Sequence, residues 1–321
     1  MRVFITLMMS FYLFCGCGND ATKPIKKSKT IKIGINIWAG YECLYLASKK
    51  GFYKKCGVDV KIVEFGSLGD CRRAFERGNI DGMGATIIEV LIASEYSNRK
   101  PKICAITDYS NGGDVIISNN SIKSVADLKG KKIGIEKGTL NIMVLSRALE
   151  KNGLSLKDVE LISVVQGSME NAIEKNELDA VVTYPPVSIA LLKDKRFKKI
   201  FSTKEIPKEV VDVIAFTDKV LKEHPDKIKK ILEGFYMAVD YCGKEKDESY
   251  GIMAKREQLS VEDFKGIFEE EIQIVTQKDQ KGFYDSGLLS DLVLQTHKVL
   301  KNSGILKNKE FQPSDVIYTK K

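Results

Sequence analysis

The tetrapeptide Lys-Ile-Gly-Ile occurs twice in this chain, at residues 32–35 and again at residues 132–135. Each copy lies in an apolar run typical of a strand, and each is followed by a break that contains glycine and then by apolar residues at helical spacing. A strand is therefore expected to pass into a helix through a short loop at both places. The repetition predicts a fold that is built twice from one pattern.

Strands and helices alternate around each copy of the repeat. The strands are expected at residues 31–37, 58–65 and 80–85 in the first half and at residues 132–135, 159–165 and 179–183 in the second. Strands that are joined through helices run parallel, in a sheet that helices cover on both faces. This order predicts an α/β fold of two lobes, each a mostly parallel sheet flanked by helices.

Two connections between the lobes are expected, near residues 108–114 and 210–217, and together they would form a hinge. The helical segments after residue 217 have no further strand–helix–strand unit to join, so we expect them to return to the first lobe. Lobe 1 is thus predicted to comprise residues 30–110 and 213–321, and lobe 2 residues 111–212.

The N-terminal residues have the pattern of a targeting segment. Arg2 precedes an apolar run, residues 3–14, that is too short to span a bilayer as a folded helix. The run ends at Cys15-Gly16-Cys17, which resembles a bacterial lipobox. We expect residues 1–16 to be a lipoprotein signal peptide, Cys17 to carry the lipid, and residues 17–29 to be a flexible tether that holds the protein outside the cytoplasm. A plain secretory peptide and a short N-terminal anchor are the alternatives.

Charge and cysteine usage exclude several classes of function. The net charge is +8, but the lysines are scattered among acidic residues and form no basic stripe with aromatic side chains, so no nucleic-acid partner is expected. The cysteines after Cys17 show no CxxC spacing, and the two histidines lie on lysine-rich helical segments. We therefore expect no metal site and no cofactor, and we expect these cysteines to be small core residues.

Several motifs together resemble one family of binding proteins. They are residues 34–47 with Gly51-Phe52-Tyr53, Asp81-Gly82 with Ala85-Thr86, residues 108–114, residues 128–134 followed by Gly138-Thr139, and Asp179-Ala180-Val181. With the doubled pattern and the lipobox, they resemble the type II periplasmic solute-binding proteins of ABC importers, in the NMT1/THI5-like branch for nitrate, sulfonates, taurine and thiamine precursors. The resemblance implies a monomer whose two lobes close on a small solute and present it to a membrane permease.

The loops at the carboxyl ends of the strands are expected to converge on the cleft between the lobes. The ligand-binding candidates are Trp38, Tyr41, Glu42, Ser67, Thr86, Asp108, Tyr109, Asp114, Glu136, Gly138, Thr139, Gln166, Ser168, Thr183 and Tyr184. Aromatic rings and carboxylates, against the single cation Lys137, favour an amino-bearing heterocycle such as a thiamine-type pyrimidine, or an amine held by cation–π contact. Binding of sulfonate or nitrate at helix N-termini is the alternative, and a ligand sensor for a membrane receptor is another.

Structural roles remain open for many of these candidates. The alternatives are core packing for Trp38, Tyr109 and Tyr184, helix capping for Glu42 and Glu136, and bonding within the hinge turn for Asp108 and Asp114. An enzyme is the least favoured reading. The THI5-like group includes pyrimidine-forming enzymes that use an active-site histidine and a cysteine cluster, whereas these loops hold no histidine and only Cys43 at their margin. We therefore predict no catalytic residue.

Overall fold

The computed structural model describes residues 29–308 and 310–319. The predicted signal peptide, the lipidated Cys17 and all of the predicted tether except Lys29 lie outside this range. Within the described residues, no helix combines the length and the apolar character that crossing a membrane requires.

The described residues form eleven strands. In chain order they are β1 Ile31–Ile35, β2 Val60–Glu64, β3 Gly82–Thr86, β4 Pro101–Ser110, β5 Val115–Asn119, β6 Lys132–Ile135, β7 Glu160–Ser163, β8 Ala180–Thr183, β9 Phe197–Ser202, β10 Val211–Thr217 and β11 Ile272–Ile274. They make a six-stranded sheet in the order β11-β4-β10-β3-β1-β2 and a five-stranded sheet in the order β7-β6-β8-β5-β9. We call the parts built on these two sheets the first lobe and the second lobe.

Both sheets are mixed. In the first lobe, β1 pairs in parallel with β2 and β3, while β10 is antiparallel to both of its neighbours and β11 is antiparallel to β4. In the second lobe, β6 pairs in parallel with β7 and β8, while β5 is antiparallel to both of its neighbours. β5 and β10 each follow a connection from the other lobe. The predicted α/β fold of two sheets flanked by helices is confirmed, and both sheets are mixed.

The Lys-Ile-Gly-Ile repeat occupies the same position in both lobes. The backbone N–H of Lys32 donates to Asp81 at 2.9 Å, and that of Lys132 donates to Asp179 at 2.8 Å. A Cβ atom on Gly34 would lie 2.5 Å from Ile80 Cδ1, and one on Gly134 would lie 2.6 Å from Leu178 Cδ1. Both repeat glycines are therefore needed because a neighbouring side chain packs directly against the strand backbone.

Thirteen α-helices lie within the described ranges. They are α1 Glu42–Lys49, α2 Phe52–Lys55, α3 Leu68–Arg77, α4 Ile87–Tyr96, α5 Asn141–Lys151, α6 Met169–Glu174, α7 Val187–Lys193, α8 Asp218–Glu223, α9 Pro225–Lys244, α10 Lys246–Glu257, α11 Val261–Gly266, α12 Gln277–Asp285 and α13 Leu288–Asn302. A five-residue π-helix, Ile267–Glu271, precedes β11. The long helix α9 packs on α1 and α2, and α13 packs on α4, so the C-terminal helices cover the first lobe.

The strands assign most of the chain to one lobe or the other. The six-stranded sheet takes its strands from residues 31–110 and 211–274, and the five-stranded sheet takes its strands from residues 115–202. The domain limits given above remain a prediction. The sequence pattern did not predict β9, β11 or α12. The two strands lie at sheet edges, where few neighbours constrain the residue pattern, and β11 has only three residues.

Candidate functional site

The N-terminus of α3 faces the second lobe. Ser67 caps this helix from an extended conformation, and its Oγ accepts the backbone N–H of Asp70 at 3.1 Å. The same hydroxyl donates to Glu136 Oε1 at 2.6 Å. Glu136 follows β6, so this hydrogen bond joins the two lobes.

The Glu136 carboxylate lies against the first turn of α3. A Cβ atom on residue 69 would lie 2.4 Å from Glu136 Oε1, so only glycine leaves room for the carboxylate. Burial raises the pKa of Glu136, while the Ser67 hydroxyl and the Gly69 N–H oppose that rise. The remaining oxygen, Glu136 Oε2, is buried and has no hydrogen-bond partner among the described residues.

A second link between the lobes is made by Glu89. Thr86 and Glu89 form a capping box at the start of α4, in which Glu89 Oε2 accepts the backbone N–H of Thr86 at 3.0 Å. The other oxygen, Glu89 Oε1, accepts the N–H of Leu140 at 2.7 Å, just before α5 begins. One carboxylate therefore satisfies backbone donors at the starts of two helices, one in each lobe.

Trp38 and Tyr184 meet between the lobes. Their rings make an edge-to-face contact with centroids 5.9 Å apart. Trp38 Nε1 donates to Asp108 Oδ1 at 3.1 Å, and Thr107 Oγ1 donates to Asp108 Oδ2 at 2.8 Å. Asn36, just after β1, donates weakly to the Tyr184 hydroxyl at 3.5 Å, and its own Oδ1 is buried without a partner among the described side chains.

Two aspartates lie side by side in the first lobe. In the register of the sheet, Asp212 on β10 is directly opposite Asp108 on β4 and Thr86 on β3. Like charges in direct cross-strand contact are unfavourable. Burial raises the pKa of Asp212 well above its usual range, and the charge of Asp108 raises it further. The Tyr41 hydroxyl is hydrogen-bonded to Asp212 Oδ1.

Asp114 lies in the first connection between the lobes, one residue before β5. Its backbone is fixed, because its N–H donates to Ser110 Oγ at 3.2 Å and its C=O accepts the N–H of Thr203 at 3.0 Å. Its side chain is buried, and within the described ranges neither carboxylate oxygen has a hydrogen-bond partner. Burial raises the pKa of Asp114, the nearby Ser110 hydroxyl opposes that rise without making a hydrogen bond of normal geometry to either oxygen, and the charges of Asp108 and Glu89 add to the rise.

Five buried acidic side chains lie in this region. We use the name cleft carboxylates for Glu89, Asp108, Asp114, Glu136 and Asp212. All five are buried. Burial raises the pKa to about 7 for Glu89, Asp108 and Asp114. Both oxygens of Asp114 and one oxygen each of Glu136 and Asp212 have no hydrogen-bond partner among the described residues, which is costly for a buried acid.

Two arginines lie beside these acids. Lys137, the cation that the sequence placed at the site, is exposed. The charge of Arg73 lowers the pKa of Glu136, but the Arg73 guanidinium forms its ion pair with Asp70, at 2.8 Å. Arg72 lies beside Gly138 and pairs with Glu76. Both arginines therefore already have carboxylate partners.

The second lobe contributes a set of linked polar groups. Thr139 Oγ1 donates to the carbonyl oxygen of Glu136 at 2.8 Å, which fixes the loop after β6. Gln166 Nε2 donates to the carbonyl oxygen of Tyr184 at 2.9 Å, and Thr183 Oγ1 donates to Gln166 Oε1 at 3.1 Å. These bonds orient the Tyr184 loop toward Trp38.

Three candidates have surroundings that the sequence did not indicate. Glu42 is fully buried and forms an ion pair with Arg256. Tyr109 follows Asp108 on β4, so its side chain lies on the opposite face of the sheet, near Lys208. Ser168 is exposed and makes no side-chain cap of its helix. For these three and for the other candidates, a ligand contact remains a prediction.

The sequence reasoning missed several residues at this site. Glu89 had a usable signal, since threonine followed three residues later by glutamate marks a capping box. Asp212 is the one acid within the otherwise apolar stretch Val210–Phe216, and a lone charge in a buried strand indicates a special role. Asn36 had no comparable signal. Within the described residues, no group of three or more histidine, cysteine, aspartate or glutamate side chains could hold a metal ion.

The fold is that of the periplasmic binding proteins. The alkanesulfonate-binding protein of Xanthomonas axonopodis pv. citri, solved with bound MOPS, matches with a TM-score of 0.76 at 17% identity, over 89% of this chain and 97% of that one. Residues 39–249 match the family model described as NMT1/THI5 like. The chain therefore belongs to the NMT1/THI5-like family.

Two curated relatives illustrate the similarity in sequence. A Brucella abortus protein named as a binding protein is 29% identical over 224 residues, which are 65% of this chain and 66% of that protein. A Bacillus subtilis protein named as an aliphatic sulfonates-binding protein is 29% identical over 256 residues, which are 76% of this chain and 75% of that protein. The match to the Brucella protein thus covers slightly less than two thirds of its length.

Proposed function

We propose that this protein is an extracytoplasmic solute-binding lipoprotein of an ABC importer, and that its solute is an amino-bearing heterocycle, such as a thiamine-type pyrimidine, or an amine. Membership of the NMT1/THI5-like family and the periplasmic-binding-protein fold support the role in solute binding. The hydrogen bonds from Ser67 to Glu136 and from Leu140 to Glu89 support a cleft that closes, because they join the lobes beside the proposed ligand.

The observation that carries the ligand class is the unpartnered carboxylate of Asp114. Both of its oxygens are buried without a donor among the described residues, and Asp108 and Asp212 lie close enough to interact with its charge. A buried polar group without a partner costs about 1–3 kcal/mol. An ammonium or exocyclic amino group would supply the missing donors and regain that energy on binding.

Aromatic side chains support a flat or cationic ligand at the same place. Trp38 and Tyr184 come from different lobes and meet edge to face, so a small movement of the lobes would change the space between them. Aromatic faces attract cations and stack on planar rings. Trp38 also holds Asp108, which places an aromatic ring and a carboxylate together.

A thermal-shift screen of the purified protein tests this proposal. Aminopyrimidines and primary amines should raise the melting temperature with the logarithm of their concentration, with about 2.7 kcal/mol of stabilisation at one hundred times Kd. The Asp114→Asn variant should lose the response, and the exposed Asp291→Asn variant on α13 should keep it. If no amino compound stabilises the wild type, the proposed ligand class is wrong.

Anion binding is the second candidate. It is favoured by the Bacillus relative named as a sulfonates-binding protein and by the Xanthomonas structure solved with MOPS. In the same screen, stabilisation by sulfonates or nitrate alone would favour this candidate. A ligand sensor for a membrane receptor would share the site, and the presence of permease and ATPase genes beside this one would favour transport. Conversion of an added pyrimidine precursor would instead indicate an enzyme.

The proposed location rests on the N-terminal sequence. We infer that Cys17 is acylated, that the lipid anchors the protein outside the cytoplasm, and that the protein acts as a monomer with a membrane permease as its partner. In cells fed radioactive palmitate, the wild type should be labelled and found in the membrane fraction. The Cys17→Ser variant should lose the label, whereas equal labelling of both would refute the assignment.

A further inference from the structure

We propose that Glu136 determines the charge of the solute, because its carboxylate occupies the anion position at the N-terminus of α3 and thereby excludes anionic ligands. The inference rests on the proposed function and adds the residue that sets its specificity. It concerns one side chain of the second lobe and one helix end of the first lobe.

The N-terminus of α3 would otherwise suit an anion. The helix has ten residues and begins after β2 at the junction of the lobes. Free N–H groups and the helix dipole make such an end a binding site for sulfate, phosphate or carboxylate groups. Ser67 adds a hydroxyl donor, and Gly69 leaves the first turn open to close approach.

The donors of this helix end already have acceptors. The Ser67 hydroxyl donates to Glu136, and the Gly69 N–H favours the ionised form of the same carboxylate. The Leu68 N–H opposes the rise that burial causes in the pKa of the Tyr184 hydroxyl. The Asp70 N–H donates to Ser67 Oγ. The second lobe thus supplies an internal anion at the place where an external one would bind.

The free oxygen of Glu136 extends this effect into the cleft. Glu136 Oε2 is buried and has no partner among the described side chains, so a ligand that enters meets an acceptor rather than a donor. Two negative charges a few ångströms apart in a partly buried site repel strongly. An anion would therefore have to displace Glu136, whereas an amino group could pair with its free oxygen.

The helix end at α5 is occupied in a comparable way. Glu89 accepts the Leu140 N–H, and Thr139 Oγ1 lies 3.4 Å from the Asn141 nitrogen as its acceptor. Removing Glu136 alone should therefore open one anion position, at α3, and leave the α5 position closed. This makes Glu136 the residue whose substitution changes specificity most directly.

The test uses the full-length protein and three variants: Glu136→Ala, Glu136→Gln and, as a control, Asp291→Ala. Thermal shift and calorimetric titration measure binding of methanesulfonate, nitrate and formate, with chloride at equal ionic strength as the reference. Glu136→Ala should bind at least one of these anions at least about tenfold more tightly than wild type does, because a like charge has been removed and its space vacated. The Asp291→Ala control removes an exposed first-turn acid of α13 and should gain nothing.

Glu136→Gln removes the negative charge but keeps a side chain of nearly the same shape at the N-terminus of α3. It therefore separates the effect of the charge from the effect of the filled space. The amide oxygen of Glu136→Gln still accepts from Ser67 and Gly69 and keeps the space at the helix end filled, so this variant should bind the anions less tightly than Glu136→Ala does, although its charge is gone. The proposal is overturned if Glu136→Gln binds the anions as tightly as Glu136→Ala does, if Glu136→Ala gains no binding, or if the wild type already binds them. The wild-type titration keeps the proposal falsifiable even if Glu136→Ala does not fold.

Failure of the proposed function gives a different result. In that case the wild type shows no response to amines or aminopyrimidines, while the gain of anion binding by Glu136→Ala can still be measured. If the wild type responds to amino compounds and Glu136→Ala gains no anion binding, the function stands and the assignment of Glu136 is wrong.

Discussion

Replacing Asp114 with asparagine should stabilise the ligand-free protein at alkaline pH and have little effect in acid. The wild-type carboxylate is about 1% exposed and has no hydrogen-bond partner among the described residues. Its charged form is therefore unfavourable in the folded state. Asparagine has nearly the same shape and carries no charge at any pH, so the variant removes this penalty and leaves the packing in place.

The size of the effect follows from the pKa. Burial raises the pKa of Asp114 from 3.8 to about 7. A group whose folded-state pKa is raised stabilises the protein fully below its unfolded pKa, and that contribution is lost as the pH rises through the folded pKa. The interval of about three pH units corresponds to about 4 kcal/mol. The stability difference between variant and wild type should therefore grow by up to about 4 kcal/mol from pH 4 to pH 8.

Urea unfolding at a series of pH values measures this difference. Glu42, Glu89 and Asp108, whose pKa values are also raised to about 7 by burial, are present in both proteins, so most of their contribution cancels. The exposed Asp291→Asn variant should differ from wild type by a constant amount across the range. A difference between Asp114→Asn and wild type that does not change with pH would refute the assignment of a buried, unpaired charge to Asp114.

Two further predictions concern stability. Arg256→Met should lower the free energy of unfolding by about 3–5 kcal/mol, because it leaves the buried Glu42 carboxylate without its ion-pair partner; a loss below about 1 kcal/mol in urea unfolding would contradict this. Gly34→Ala and Gly134→Ala should each cost about 1–3 kcal/mol, since the new methyl group would meet a side chain at 2.5 or 2.6 Å. Gly66→Ala, with open space at its Cβ position, is the control and should be nearly neutral by the same measurement.

Local sequence signals predicted most of the fold. The apolar strands, Ser67 as a helix cap and Gly78 as a helix stop all appear where the pattern placed them, with Gly78 at a φ of 84°. These features depend on residues close together in the chain, because caps, stops and alternation are short-range effects. The edge strands β9 and β11 were missed because their pairing partners, rather than their own residues, hold them in the sheet.

The site was predicted less completely. The sequence pointed to Trp38, Asp108 and Glu136, and the structure brings Trp38 and Asp108 into contact. It also named Glu42, but it gave no sign that Arg256 holds that carboxylate from a helix more than two hundred residues later in the chain. Which side of a loop a carboxylate faces depends on its distant partner, and short-range pattern does not contain that information.

The sequence by itself determined the doubled α/β architecture, because the repeated Lys-Ile-Gly-Ile strands and their flanking periodicity are encoded locally in each half. Only the tertiary structure decided which acids lack partners and which one fills the end of a helix in the other lobe. Among the residues that the structure describes, the Asp114 carboxylate lacks a donor, and Glu136 reaches Ser67 across the junction of the lobes. Both facts depend on how two separately encoded halves meet, and it is this meeting that sets the electrostatic character of the proposed site.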